Sequence, residues 1–218
     1  MTEQKFGVSG FTLKWIAIIC MLIDHVGAVL FPQYIQLRMI GRLAFPIYCF
    51  LLVEGAVHTK DIHKYEVRLF LFALLSELPF DLAFFGRIYF GHQNVFFTLF
   101  FGLVAVEQCQ KRTGKLSSFL TFLSSIALAE VLNTDYGASG VTFILLFYIL
   151  YQYRVAKQAA FVVMNYLMYG ISVQIYATFA ALPMLLYNGK RGPSMKYFFY
   201  AFYPIHLLVI YVICKLIY

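Results

Sequence analysis

The chain has 218 residues, of which 62% are apolar and only 12% charged, and it carries a net charge of +7 at neutral pH. A soluble domain has about 25% charged residues, so this chain lacks the polar groups to cover a core in water, and lipid is the solvent that fits. The basic excess is what membrane topology asks of loops, which removes the reason to invoke a nucleic-acid partner.

About 20 apolar residues at 1.5 Å each cross a hydrocarbon core. Nine such stretches follow in chain order, near 12–31, 36–57, 65–85, 93–109, 116–132, 138–153, 156–170, 172–187 and 195–217. The expected fold is therefore all-α: a polytopic transmembrane helical bundle of about nine spans, forming one domain over 1–218. The first stretch is too long for a signal h-region and lacks a small-residue cleavage site, and it carries Asp24 and His25. The four cysteines stand singly in apolar runs, with none of the clustering that a disulfide framework or metal site requires, and no metal is expected.

The connections sort by charge. Lys5 and Lys14 precede or open the first span; Lys60, Lys64 and Arg68 join the second to the third; Lys111, Arg112 and Lys115 join the fourth to the fifth. Arg154 and Lys157 follow the sixth, and Lys190, Arg191 and Lys196 precede the ninth. Thirteen of the seventeen basic residues thus lie on alternate connections. The positive-inside rule then puts the N-terminus in the cytoplasm and the C-terminus outside.

Ionisable groups inside spans are costly, face the bundle interior and mark function. His25 lies about 9 Å below the outer end of the first span, and Arg42 about 9 Å below that of the second. The short connection 32–35 makes the two spans antiparallel neighbours, so these groups can meet. Asp24 and His25 are adjacent on a helix and point about 100° apart. Asp24 is therefore expected to pair with Arg42 or Arg38, leaving His25 to another partner. Glu77 and Asp81 share one face of the third span, with Arg38, Arg42 or Arg87 as expected partners. Asn94 opens the fourth span, Asp135 flanks the outer end of the fifth, and the ninth contributes Tyr203 and His206. One polar layer in the outer half of the membrane is the expectation, lining a water-accessible cavity. On the cytoplasmic side, Asn188-Gly189-Lys190-Arg191-Gly192 sets two cations between glycines, a loop able to offer charge and backbone N–H groups to a phosphate.

Several blocks resemble the TraX family of conjugal-transfer membrane proteins. They are Leu13-Lys14-Trp15-Ile16-Ala17 through Met21-Leu22-Ile23-Asp24-His25-Val26-Gly27, then Ile40-Gly41-Arg42-Leu43-Ala44-Phe45-Pro46, followed by Val53-Glu54-Gly55 and His58-Thr59. Asn94-Val95-Phe96-Phe97-Thr98, Asp135-Tyr136-Gly137-Ala138-Ser139-Gly140, Tyr187 through Gly192 and Phe202-Tyr203-Pro204-Ile205-His206-Leu207 complete the set. The resemblance implies a multi-pass protein of the bacterial cytoplasmic membrane linked to N-terminal acetylation of a pilin subunit. It also implies kinship with transmembrane acyltransferases that draw on cytosolic acyl-CoA and use an embedded histidine.

On that basis the expected activity is transfer of acetyl from acetyl-CoA to an amine or hydroxyl acceptor, such as a pilin-like protein N-terminus. His25 is the expected base, with Asp24 and Arg42 beside it. Glu77, Asp81, Asn94, Asp135, Tyr203 and His206 are the expected substrate-binding groups. Lys190, Arg191, Asn188 and Lys60 are expected at the CoA phosphates. A proton-coupled transporter and a non-catalytic scaffold of a secretion complex are the rival readings of the same buried charges.

Overall fold

The computed structural model describes residues 7–111 and 114–217, with backbone only at Lys115. Of the loop cations counted above, Lys5, Arg112 and the Lys115 side chain lie outside the described residues. Among the described residues the regular elements are helical, joined by two isolated parallel bridges, Val8 with Tyr187 and Gln93 with Thr134. In chain order they are α1 (Gly10–Val29), α2 (Ile35–Gly41), α3 (Ala44–His58), α4 (Ile62–Phe85), α5 (Val95–Lys111), α6 (Lys115–Val131), α7 (Gly137–Ile149), α8 (Arg154–Tyr169), a 3-10 segment (Val173–Ala180) running into α9 (Ala181–Leu185), and α10 (Lys196–Ile217).

Each of the nine apolar stretches is thus a helix or a helix pair. Three of them, Gly10–Val29, Ile35–His58 and Lys196–Ile217, are long and apolar enough to cross a membrane. The second stretch is broken. The turn at Arg42 and Leu43 separates α2 from α3, and Pro46 supplies the reason: its ring excludes the carbonyl of residue 42, and it has no N–H to bond it. The eighth stretch winds as 3-10 before it becomes α-helical.

Helix surfaces are inverted relative to a soluble protein. On α8, Lys157, Gln158 and Asn165 are buried while Val155, Val163 and Leu167 are exposed. On α10, Tyr203, Pro204 and His206 are buried while Ile205, Val209, Val212 and Leu216 face outward. A helix in lipid gains nothing from hiding leucine and loses much by exposing lysine, so this inversion fits an apolar solvent.

The chain forms two compact units, one from residues up to Leu51 and from Leu150 onward, the other Leu52–Ile149. In the first, α1 and α2 are antiparallel, since Asp24 meets Arg42 and Arg38 while Gly27 lies against Leu37. α1 and α10 run parallel: Trp15 packs on Phe198 and Phe199 at one end, and His25 meets His206 further along both helices. The start of α1 is tied to the loop before α10 by Gly10 N–H to the Lys190 carbonyl and Phe11 N–H to that of Arg191. Arg154, at the start of α8, donates to the Leu185 carbonyl. One end of this unit therefore gathers basic residues and the other Asp24, His25, Arg38, Arg42 and His206.

The second unit sorts its ends in the same way. α4 and α5 are antiparallel, with Phe70 against Phe97 and Phe100, Asn94 on Glu77, and His63 near Glu107. Gly102 lets α5 approach α7, because a Cβ there would strike Ile144; small residues at such contacts are what allow helices to pack in the absence of a hydrophobic driving force.

Candidate functional site

The polar residues read from sequence as one layer are distributed over both units. Asp24, His25, Arg42, Tyr203 and His206 belong to the first; Glu77, Asp81, Asn94 and Asp135 belong to the second.

In the first unit the break after α2 sets the site. Arg42 is the C-cap of α2, and from there its guanidinium reaches Asp24 Oδ2 at 2.5 Å. Arg38, one turn earlier, reaches the same oxygen at 2.7 Å and also donates to the Asp24 carbonyl at 3.2 Å. Asp24 is 6% exposed, so its charge is stabilised almost wholly by these two cations. The close approach depends on Gly41, since a Cβ at that position would fall on the Asp24 carboxylate. Arg42 also reaches Gln174 Oε1 at 3.5 Å, and Asn165 donates to the Gln174 carbonyl at 3.0 Å. That extends the polar group into α8 and the 3-10 segment. α1 ends at Val29, so His25 lies about 6 Å from the helix end, shallower than the sequence reading had it.

His25 pairs with His206 through Nδ1 and Nε2, 2.6 Å apart, with the rings within 6° of coplanar. The tautomers follow from the next partner. His206 Nδ1 lies 2.7 Å from the Phe202 carbonyl, which can only accept, so that nitrogen carries the hydrogen. In a neutral ring Nε2 of His206 is then the acceptor. His25 must donate from Nδ1, which leaves His25 Nε2 with its lone pair. Tyr203 stands edge-on to both rings, at 5.9 and 5.7 Å between centroids. His206 is buried and His25 is partly exposed. The arrangement is an oriented imidazole pair beside a carboxylate held by two guanidinium groups.

The second unit uses its polar residues differently. Asn94 is fully buried and donates to Glu77 Oε2 at 2.5 Å and to the Ala73 carbonyl at 2.8 Å, while accepting from Phe96 N–H at 3.0 Å. Asp81 accepts from Tyr89 N–H at 2.9 Å. The arginine partners expected for Glu77 and Asp81 are thus replaced by an amide and a backbone N–H. Arg38 and Arg42 are taken by Asp24, and the turn after α4 brings nearer donors. The Asp135 carbonyl accepts from Thr98, whose Oγ1 also lies 2.8 Å from Thr134 Oγ1. These bonds tie α4, α5 and the turn before α7 together.

Of the expected phosphate-binding residues, Lys190 and Arg191 are exposed in the loop before α10. The Lys190 N–H does not point outward as expected: it donates to Asn188 Oδ1 at 2.9 Å, and Asn188 in turn donates to the Gly7 carbonyl. The short polar side chain of Asn188 closes a local turn, which leaves the side chains rather than that amide for an anion. Lys60 is exposed and belongs to the other unit.

Sequence reading missed the amides. Gln158 is 2% exposed, and neither its Nε2 nor its Oε1 has a hydrogen-bond partner among the described residues. Asn165 Oδ1 and Gln174 Nε2 are likewise unpartnered there. Gln158 and Asn165 sit two turns apart on the buried face of α8. The signal was available: Gln158 and Asn165 stand seven residues apart, on one helix face, in an apolar stretch.

The family model described as "TraX protein" matches residues 9–214. The chain is 33% identical over 239 aligned residues to a protein of Dichelobacter nodosus named "Probable fimbrial assembly protein FimC, serogroup H1", covering 95% of this chain and 96% of that one. A shorter match, 50% identical over 38 residues, covers 17% of this chain and 15% of an uncharacterized protein of Rickettsia prowazekii (strain Madrid E). No solved structure matches. The blocks that carry the resemblance, the helices that hold them and the match along nearly the whole length agree: this chain belongs to the TraX family.

Proposed function

We propose that this protein is an integral acyltransferase of the bacterial cytoplasmic membrane. In this reading it moves an acetyl group from acetyl-CoA to an amine or hydroxyl acceptor in the service of pilus or fimbrial assembly. The relative named as a probable fimbrial assembly protein supports the setting. The observation that supports the chemistry is the His25–His206 pair, in which His25 Nδ1 donates and Nε2 is the basic nitrogen.

In the proposed step, His25 Nε2 takes the proton from the acceptor amine or hydroxyl as it attacks the thioester carbonyl. A C–N or C–O bond forms, the C–S bond breaks, and the imidazolium returns the proton to the departing CoA thiolate. His206 accepts from His25 Nδ1 throughout and holds the ring orientation. Arg42 and Arg38 lend positive field to the carbonyl oxygen as it gains charge, while Asp24 holds both in place.

The donor would enter from the basic end, with Lys190 and Arg191 at the CoA phosphates. Its amide-bearing pantetheine arm suits the unpartnered amides of Gln158, Asn165 and Gln174, which lead from that end toward Arg42. Buried amides cost about 1–3 kcal/mol each when left without partners, and a ligand with two amides would recover part of this.

Calorimetry of CoA and acetyl-CoA with purified protein tests the reading. Saturable binding, weakened in Lys190→Ala/Arg191→Ala and in Gln158→Leu, is expected. No binding of either ligand would instead favour a transporter or a scaffold.

A further inference from the structure

At the basic end of the second unit, three side chains outside the proposed site converge. His63 and Glu66, in the first turns of α4, are three residues apart and share a face. Glu107 faces them from the last turns of α5. His63 Nδ1 lies 3.1 Å from Glu66 Oε2, and its Nε2 lies 3.3 Å from Glu107 Oε1. One ligand atom from each of the three can be chosen so that all lie within 4.8 Å of one another.

With a neutral His63 the contacts do not close as a hydrogen-bond network. A neutral imidazole carries one N–H, so it can donate to only one of the two carboxylates and must turn a lone pair to the other. Glu66 is 9% exposed and Glu107 3%. Glu66 Oε1 has no hydrogen-bond partner, and Glu107 Oε1, although close to His63 and 3.0 Å from Lys111 Nζ, makes no aligned hydrogen bond to either. Two nearly buried carboxylates side by side cost several kcal/mol each unless positive charge sits between them. Lys111 approaches from a half-exposed position, with 42% of its side chain accessible, and can swing to solvent.

We propose that His63, Glu66 and Glu107 bind a divalent transition-metal ion, which clamps the start of α4 to the end of α5. One imidazole nitrogen with two carboxylates suits a borderline ion such as Zn²⁺ or Mn²⁺ better than Ca²⁺, which prefers an all-oxygen cage. The imidazole lone pair becomes a ligand, both carboxylates gain a counter-ion, and Lys111 is released. The exposed side of His63 leaves room for water to complete the coordination.

The test uses tag-free, full-length protein in detergent, stripped with EDTA and dialysed against Zn²⁺ or Mn²⁺, with bound metal read by mass spectrometry and thermal stability in parallel. One ion per chain and a raised melting temperature are expected. His63→Ala, at an exposed position, and Glu107→Gln should each weaken binding by about 10-fold or more. Lys111→Met keeps the ligands and removes the competing cation, so it should bind metal more tightly. Lack of stoichiometric binding by both wild type and Lys111→Met overturns the proposal and leaves an ion-pair cluster around an imidazolium. Binding that is unchanged in His63→Ala and Glu107→Gln overturns it equally.

Discussion

Replacing Asp24 by alanine tests the electrostatic centre of the first unit. Asp24 Oδ2 accepts from two guanidinium groups, at 2.5 and 2.7 Å. Hydrogen bonds to charged groups contribute about 1.5–3 kcal/mol each, and breaking a buried pair by removing one partner costs about 3–5 kcal/mol. The Arg42 and Arg38 side chains keep 16% and 28% of their accessible surface, so water recovers part of their solvation once the carboxylate is gone. The lower end, about 3 kcal/mol, is therefore expected. At about 2–4 °C per kcal/mol for a chain of this length, the melting temperature should fall by roughly 6–12 °C. Thermal unfolding of the detergent-purified protein measures it. The double variant Asp24→Ala/Arg42→Ala should lose less than the sum of its singles, by about 1 kcal/mol or more. A shift below about 2 °C, or strict additivity, would refute the claim that one carboxylate holds both arginines.

Three further outcomes follow from local geometry. Gly41→Ala puts a methyl group onto the Asp24 carboxylate and should cost about 1–3 kcal/mol; unchanged thermal stability would mean that α1 and α2 are not packed at this point. His206→Leu removes the acceptor that orients His25 and should lower kcat by about 10²-fold with donor KM unchanged. His206→Gln should restore part of that rate, because its amide oxygen can accept from His25 Nδ1; equal kcat in wild type and both variants would rule out the orienting role. Thr98→Val preserves shape but removes the hydroxyl that bonds the Asp135 carbonyl and the Thr134 hydroxyl, for an expected loss of about 1–3 kcal/mol. Thr98→Ser should be near wild type, which a comparison of melting temperatures will decide.

The apolar stretches were legible because lipid imposes length and composition on a helix before any tertiary contact forms. Within each unit helix direction follows from the contacts, with α1 parallel to α10 and antiparallel to α2, and α4 antiparallel to α5. The pairing of Asp24 with the arginines could be read from helical spacing and the short 32–35 connection. The His25–His206 pair could not, since it joins residues 181 apart in sequence and depends on α10 packing beside α1. Glu77 and Asp81 were assigned arginine partners because charge is visible in sequence, whereas a buried amide or a turn N–H is not. The break at Arg42 follows from Pro46, which the continuous hydropathy of 36–57 does not show.

Acetyl transfer by purified protein, followed by mass spectrometry of an acceptor peptide with acetyl-CoA as donor, tests the account most directly. Wild type should show donor-dependent acetylation. His25→Ala should fall by about 10²–10⁴-fold in kcat while still binding CoA and retaining a cooperative thermal transition. Undiminished transfer by His25→Ala would contradict the account.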